Sequence, residues 1–229
     1  LMKNLTWHTE FGYDISYNKG ERYQPKVDLG NWKRDSNSSS IQKNNSTFWQ
    51  LKNYVTYSGN IGDKHHYTAM VGQECWESSY DFTSVFNSGL PSDEVHNPAL
   101  GTGTPTINAG FGSSSMASFF TRLTYNYADR YLGTYRYDGS SNFGPENRWA
   151  GFHSLATSWR FSNETFFEPL KKVISNGKLR LGWGQTGNAN IGGYAWGTSM
   201  SRMPSGLGMG YRPSNIPNTS IKWESQEQW

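Results

Sequence analysis

The 229-residue chain has a net charge of +3, with 21 basic and 18 acidic residues dispersed along its length. This dispersed charge excludes the basic stripe that nucleic-acid recognition requires, so we predict no nucleic-acid partner. Only 34% of the residues are hydrophobic, yet 16% are aromatic and 25 are glycine. Aromatic rings separated by polar residues and glycine turns are typical of an all-β protein.

Cysteine and hydropathy narrow the class further. The single cysteine, Cys75, excludes an internal disulfide framework and a zinc site built from cysteines. No signal peptide is recognisable, and no apolar run reaches the roughly 18 residues that a membrane-spanning helix needs. The strands of an outer-membrane barrel are only about 9 to 11 residues long and alternate in polarity, so low hydropathy leaves that class open.

The predicted elements are strands. Residues 5–17 alternate between rings or aliphatic side chains and polar side chains, which predicts the first strand. The same period of two predicts strands at 48–58, 66–76, 116–127, 131–138, 152–161 and 178–183, and the start of an eighth near Ile221. In these spans the charged residues lie opposite the rings, so we predict an apolar face and a charged face.

The predicted connections alternate in length. They are long at 18–47, short at 59–65, long at 77–115, very short at 128–130, medium at 139–151 and 162–177, and long at 184–220. Segment 162–177 is predicted to form a short helical turn that begins at Ser162 or Asn163 and stops at Gly177. Such alternation is typical of a membrane barrel, whereas a Greek-key sandwich has no reason to show it.

The motifs that could carry chemistry are weak. His65 and His66 are neighbours that point to opposite strand faces, so we predict no metal site. Segment 101–112, GTGTPTINAGFG, lacks the lysine ending of a phosphate-binding loop. A glycosidase would need two carboxylates at catalytic separation, which the sequence does not establish for Glu10, Asp14, Glu74 and Asp138. We therefore predict neither enzymatic activity nor a cofactor.

Residues 118–167 carry a resemblance to a known family. This segment, SFFTRLTYNYADRYLGTYRYDGSSNFGPENRWAGFHSLATSWRFSNETFF, is similar to the barrel of SusC/RagA-type TonB-dependent outer-membrane transporters. It contains that family's R-x-DGSS-x-FG loop and a strand ending W-R-x-S-N-E. Segments 178–194, KLRLGWGQTGNANIGGY, and 221–229, IKWESQEQW, resemble later parts of the same barrel in the same order, and 1–76 fits more loosely.

The resemblance implies the architecture and role of a larger protein. Residues 1–229 would form eight strands of a single barrel domain of about 22 strands. A signal peptide, a plug domain that contacts TonB and further strands would lie outside the sequence. The intact protein would lie in the outer membrane of a Gram-negative cell and import a nutrient, an oligosaccharide or a peptide, with a SusD-like surface lipoprotein.

The resemblance also assigns roles to residues. The rings would face lipid, with interfacial girdles drawn from Trp7, Tyr17, Trp49, Tyr57, Tyr127, Tyr131, Trp159 and Trp183. The opposite face would line the lumen and contact the plug or the passing ligand through Lys52, Glu74, Arg122, Arg136, Asp138, Arg160 and Arg180. Loops 78–115 and 184–220 would face outward and contact the lipoprotein, and sugar rings could stack on Tyr194, Trp196 and Tyr211.

Two alternatives stay open at this point. A soluble, secreted carbohydrate-binding β-sandwich would show the same alternation, with its aromatic faces buried between two sheets. Eight antiparallel strands could also close a small barrel alone, although residues 221–229 resemble an internal strand rather than a terminal one.

Overall fold

The computed structural model describes residues 4–127, 131–192 and 194–229, with the backbone alone for 131–135. The described chain is almost entirely strand. In chain order the strands are β1 (Leu5–Gln24), β2 (Val27–Asp28), β3 (Lys33–Arg34), β4 (Ser38–Ile61), β5 (His65–Ser88), β6 (Thr106–Tyr127), β7 (Tyr131–Ser140), β8 (Trp149–Trp159), β9 (Leu179–Asn188), β10 (Met200–Ser205), β11 (Gly208–Pro213) and β12 (Glu224–Gln228). Short 3-10 helices cover Pro98–Leu100, Phe161–Asn163 and Thr165–Lys172.

One large antiparallel sheet organises the chain. Its order is β1-β4-β5-β6-β7-β8-β9-β12, and the pairs β2/β3 and β10/β11 form separate two-stranded hairpins within the connections. The predicted all-β class and the eight predicted strands are therefore confirmed. Among the described residues β1 and β12 are the two end strands of this order, so these eight strands do not close on themselves.

The register defines two faces of the sheet. Arg136 of β7 lies opposite Phe120 of β6 and Phe152 of β8, and Leu155 of β8 lies opposite Trp183 of β9. Because side chains alternate along a strand, even-numbered residues of β6, β7 and β8 share one face and odd-numbered residues share the other. We call these the charged face and the ring face, and extend the names to β1, β4, β5 and the Leu179–Trp183 part of β9.

The ring face is exposed to its surroundings. On β1 its side chains are between 58% and 69% exposed at Trp7, Phe11, Tyr13, Ile15 and Tyr17. Over the described ranges only five apolar side chains are buried, namely Leu90, Pro98, Phe143, Phe152 and Phe167. A β-sandwich would bury its aromatic faces between two sheets, so this structure does not support the sandwich alternative.

Several strands are longer than predicted, including β9, which continues past 183 to Asn188, and the predicted loop 184–220 also contains β10 and β11. β1 continues to Gln24, β4 begins at Ser38, β5 continues to Ser88 and β6 begins at Thr106, so much of 18–47 and 77–115 was wrongly predicted as loop. The added part of β1, 18–24, is polar apart from Tyr23, whereas the added part of β5 still carries Tyr80, Phe82 and Phe86. Lys19 forms an ion pair of 2.5 Å with Glu21 two residues along β1, which is the spacing of residues on one strand face. The apolar period of two therefore ends within β1, at about residue 17, although the backbone pairing continues to Gln24.

The connections keep the predicted alternation at 25–37, 62–64 and 89–105, but not at 141–148 and 160–178, where the second connection is the longer. Segment 62–64 is short, whereas 25–37, 89–105 and 189–223 are long. A helical turn within 162–177 is confirmed as 3-10 helix Thr165–Lys172, but its N-cap is Glu164 rather than Ser162 or Asn163, and it ends before Gly177. Its expected stop, Gly177, accepts a hydrogen bond of 3.2 Å from the backbone N–H of Ser162. The predicted turn 128–130 lies outside the described residues.

Contacts divide the chain into two compact units. One contains Leu1–Phe11, Gln50–Trp76 and Ser114–Trp229, and the other contains Gly12–Trp49 and Glu77–Ser113. Across the described ranges, no helix combines the length and apolar character needed to traverse a membrane.

Candidate functional site

Arg136 is the centre of a polar cluster on the charged face. It lies in the middle of β7, and its guanidinium carbon is 5.9 Å from the centre of the Phe120 ring on the neighbouring strand. Its side chain is 44% exposed. An arginine head over an aromatic face is stabilised by the charge on the one and the quadrupole of the other.

Asp138 fixes one side of the guanidinium. It lies two residues after Arg136, so strand alternation places both side chains on one face. The Nε atom of Arg136 donates to both carboxylate oxygens of Asp138, at 2.8 and 3.1 Å. Asp138 is only 5% exposed. A carboxylate so far removed from water needs this charged donor, since an unpaired buried charge is strongly unfavourable.

Two further strands complete the cluster. The Nη2 atom of Arg136 donates to the hydroxyl of Ser118 on β6 at 3.0 Å and pairs with Glu74 on β5 at 3.3 Å. Gln50 on β4 donates from Nε2 to the other oxygen of Glu74 at 2.9 Å. We call these five residues, on four neighbouring strands, the Arg136 cluster.

A cavity of about 650 Å³ lies beside this cluster. Three cations line it, Lys52, Arg122 and Arg136, together with the carboxylate Asp138. Its apolar lining includes three rings and two methionines: Tyr54, Phe120, Phe152, Met70 and Met116. The site can therefore offer both charged donors and flat apolar surfaces to a ligand or to another part of the protein.

Gly72 allows these rings to come together. A Cβ atom at this position would lie 2.5 Å from the ring of Phe120 and 2.6 Å from the Cβ of Tyr54. Both distances are too short for real carbon contacts, so any larger residue would push the two rings apart. The glycine thus shapes the floor of the cavity.

Five of the seven predicted lumen residues meet in this region, and two do not. Arg160 was predicted inside a strand, but β8 ends at Trp159 and a 3-10 helix begins at Phe161, so its predicted place in a strand is wrong. Arg180 lies on β9 opposite Ser158 and lines a separate groove of about 440 Å³.

The predicted aromatic loop residues form two separate groups. The rings of Tyr194 and Trp196 lie 6.4 Å apart, and Tyr194 is 57% exposed with a left-handed φ of 57°. Trp196 borders a small cavity of about 200 Å³ with Gly144, and over the described ranges its buried Nε1 has no hydrogen-bond partner. Tyr211 lies apart from this pair, on β11 opposite Arg202.

The DGSS loop is a packed structural element. Phe143 within it is completely buried and stacks on Trp223 with ring centres 5.0 Å apart. Trp223 in turn makes an edge-to-face contact with Phe152, which lines the cavity, at 5.5 Å between ring centres. The loop therefore supports the cavity wall from behind.

The connection 89–105 is held by a second polar network. Asn37, 1% exposed, accepts from the backbone N–H of Leu90 at 2.7 Å and donates to Asp93 at 3.1 Å. The hydroxyl of Tyr23 also donates to Asp93. Hydrogen bonds from Tyr23 first, and then from Asn37, hold the pKa of Asp93 below its usual value. A carboxylate that accepts several hydrogen bonds is favoured in its charged form.

The rings and the neutral donors of this site were not predicted from the sequence. Tyr54, Phe120 and Phe152 share the charged face, although rings were expected on the other face only. The available signal for Tyr54 and Phe120 was their even position in the strands of Lys52 and Arg122, whereas β8, which holds Phe152, carries no such cation. The sequence around Gln50 on β4 and Ser118 on β6 does not indicate a role for them, because their contacts depend on the strand register. In the parts of the chain that the structure describes, no three His, Cys, Asp or Glu side chains are grouped as metal ligands.

Comparison with known proteins places the chain among large receptors. No family model matches it. It is 38% identical over 192 residues to the TonB-dependent receptor SusC of Bacteroides thetaiotaomicron, covering 77% of this chain and 18% of that protein. It is 31% identical over 204 residues to the TonB-dependent receptor P26 of Formosa agariphila, covering 83% and 20%. The chain thus spans about a fifth of the length of these curated relatives.

A solved structure shares the fold. The structure of the RagAB peptide transporter superposes on 99% of this chain and 26% of its own, with a TM-score of 0.85 and 23% sequence identity. At that identity the match shows the fold alone. It places the eight-stranded sheet as a segment of a larger barrel.

Proposed function

We propose that this chain, which belongs to the SusC/RagA-type TonB-dependent receptors, forms part of the barrel wall of an importer in the outer membrane. Residues 1–229 would belong to one barrel domain of a longer protein. The protein would move a nutrient inward without breaking or forming a bond in it, since its relatives are named as receptors and a transporter.

The observation that carries this proposal is the division of one sheet into two unlike faces. The ring face exposes large apolar side chains, including Trp7 at 69% and Leu155 at 62%. The charged face of the same strands carries the Arg136 cluster. A sheet whose ring face contacts lipid and whose charged face lines a polar interior would have these two faces, because hydrocarbon tolerates exposed rings and excludes charge.

Aromatic girdles follow from the same proposal. Trp7 and Trp159 lie near the ends of their strands, at 69% and 43% exposure, as expected of rings at a lipid headgroup boundary. Trp49 lies on the ring face of β4 and donates from its indole to Glu77 at 3.3 Å. An indole that is apolar on one side and hydrogen-bonded on the other is suited to an interface. The side chain of Tyr131 lies outside the described residues.

We further propose the partners that the family implies. A plug domain elsewhere in the protein would contact the charged face and receive energy through TonB. A SusD-like surface lipoprotein would contact the segments 78–115 and 184–220. The packed network around Asp93 supports this role for 89–105, because an ordered connection presents a defined surface to a partner.

For the cargo we propose an oligosaccharide, with a peptide as the second candidate. The exposed Tyr194 beside Trp196 provides flat surfaces on which a sugar ring could stack. The peptide candidate draws on the solved RagAB structure, which is named a peptide transporter. Arg136, Lys52 and Arg122 would face either ligand in the lumen, and Arg180 would line the same interior nearer the Thr165–Lys172 turn.

Membrane fractionation and transport test the proposal. The parent protein should be recovered from detergent-solubilised outer membranes with a mass several times the 25.9 kDa of this chain. Cells that lack the parent gene should lose growth on one class of oligosaccharide or peptide, and cells that lack TonB should lose it equally. Recovery only from the soluble fraction, or uptake that does not depend on TonB, would contradict the proposal.

A further inference from the structure

Arg122 is a cation on the charged face without a matching anion. Among the described residues it has neither a hydrogen bond nor an ion pair, and it is exposed towards the cavity beside the Arg136 cluster. The residue opposite it on β7 is Thr134. On its other side, the neighbouring Thr121 donates to the backbone oxygen of Met70 on β5, which places an apolar residue there.

Arg136, unlike Arg122, is compensated by neighbouring anions. Its Nε is bound by Asp138, and its Nη2 is bound by Ser118 and Glu74. Two carboxylates therefore compensate one guanidinium, and those groups are already engaged. A ligand entering the cavity would find the fork of Arg122 free among the described residues and that of Arg136 largely occupied.

Lys52 provides the second available cation. It is half-buried and lines the same cavity. His8 of β1 stacks on Tyr54 of β4 at 4.7 Å, so the antiparallel register places Glu10 opposite Lys52. Glu10 is exposed, and in the described chain the two residues do not form an ion pair. Lys52 is thus only partly compensated.

We propose that this cavity binds a carboxylate group, with Arg122 as the main ligand and Lys52 as the second. This inference rests on the proposed function, because it requires the charged face to line an enclosed interior. A charge in such an interior needs a counter-charge, and the planar guanidinium matches a carboxylate through two parallel hydrogen bonds. At about 650 Å³ the cavity admits more than the carboxylate, and the rings of Phe120 and Tyr54 would contact the apolar part of the same group.

The carboxylate can come from two sources. An acidic cargo, such as a uronic-acid sugar or an acidic peptide, would bring it from outside. An aspartate or glutamate of the plug would bring it from the same protein. Both sources present the same chemistry to Arg122, and the experiment separates them.

The test uses the full-length parent protein in detergent. The variants are Arg122→Gln, Arg122→Lys, and the double variant that combines Arg122→Gln with Lys52→Gln. The matched control is Lys64→Gln, a cation in the 62–64 turn that does not line the cavity. Binding is measured with trigalacturonate against its trimethyl ester and with triglutamate against triglutamine, and thermal unfolding is measured on every variant.

A cargo carboxylate predicts that one acidic probe binds better than its neutral partner. Arg122→Gln should weaken that binding about tenfold, as expected for one charged contact, without lowering the melting temperature. Arg122→Lys should retain part of the affinity, because it keeps the charge and loses the fork. A plug carboxylate predicts no preference for acidic probes. In that case the double variant, and not Lys64→Gln, should melt several degrees lower.

If the double variant changes neither the probe affinities nor the melting temperature, the inference is wrong. Fractionation and TonB-dependent growth of the same strains report on the proposed function separately. If the strains import normally and substitution of Arg122 changes neither binding nor melting temperature, only the proposed carboxylate site is wrong.

Discussion

Substitution of Asp138 by asparagine tests the Arg136 cluster most directly. The asparagine side chain would keep the size and one acceptor oxygen of the aspartate while removing its negative charge. Asp138 is 7% exposed at its side chain and accepts two hydrogen bonds from one guanidinium nitrogen. Loss of a hydrogen bond to a charged group costs about 1.5 to 3 kcal/mol, and loss of a fully buried ion-pair partner about 3 to 5.

The expected cost lies at the lower end of that range. Arg136 is 44% exposed and keeps Ser118 and Glu74, so solvent and these partners retain part of its stabilisation. We expect Asp138→Asn to lower the free energy of unfolding by about 2 kcal/mol. Glu74→Gln should cost less, about 0.5 to 1 kcal/mol, because its contact with Arg136 is longer at 3.3 Å and its side chain is more exposed at 16%.

Urea unfolding of the full-length protein in lipid vesicles, followed by tryptophan fluorescence, measures both values. A double-mutant cycle with Arg136→Gln should give a coupling energy to Asp138 of about 1 kcal/mol or more. The reasoning is refuted if Glu74→Gln proves more harmful than Asp138→Asn, or if Asp138→Asn unfolds like the wild type.

Two further predictions concern the sheet faces and the 89–105 connection. Leu155→Arg should block membrane insertion, at a cost of about 2 to 4 kcal/mol near the bilayer centre, whereas Ser154→Arg on the opposite face should insert normally; outer-membrane yields of the two variants decide this. Tyr23 and Asn37 lower the pKa of Asp93 in the folded protein. The Asp93 carboxylate therefore stabilises the folded connection fully when the pH is above its unfolded pKa of about 3.9. This stabilisation is lost as the pH falls through the lower pKa of the folded state. Pepsin should therefore cleave 89–105 of the wild type increasingly as the pH falls below about 4. The Asp93→Asn variant should be cleaved readily at every pH tested. A wild type whose cleavage does not depend on pH in this way would contradict the role given to Asp93.

The strands that the sequence predicts well are those with one apolar face. In 5–17 and 116–127 every second residue is a ring or an aliphatic side chain over most of the span, so the period of two can be read directly. The same strands continue into polar segments such as 18–24, where both faces of β1 are largely exposed. There the backbone hydrogen bonds remain while the side-chain pattern disappears, so periodicity cannot find the strand ends.

The site was predictable in its residue types and not in its geometry. Alternation alone placed Glu74, Arg136 and Asp138 on one face. Their meeting depends on the register between β5, β6 and β7, which brings Ser118 between Glu74 and Asp138. No local pattern encodes that register. Arg160 was misplaced for a related reason: the apolar period runs through Trp159 to Phe161, but the backbone leaves the strand between them and turns into a 3-10 helix.

The Arg136 cluster also accounts for how that register is selected. Because side chains alternate, a slip of one residue in β7 would transfer Arg136 and Asp138 together to the ring face. In the proposed membrane setting, an arginine there would cost about 2 to 4 kcal/mol near the bilayer centre, and Glu74 would lose its cation as well. Apolar bulk is missing at Gly133, which lies opposite both Leu123 and Leu155, whereas Tyr137 on the ring face of β7 stacks on Trp149 with ring centres 5.3 Å apart. The charges of the cluster therefore specify the pairing of these strands together with the ring contacts of the other face.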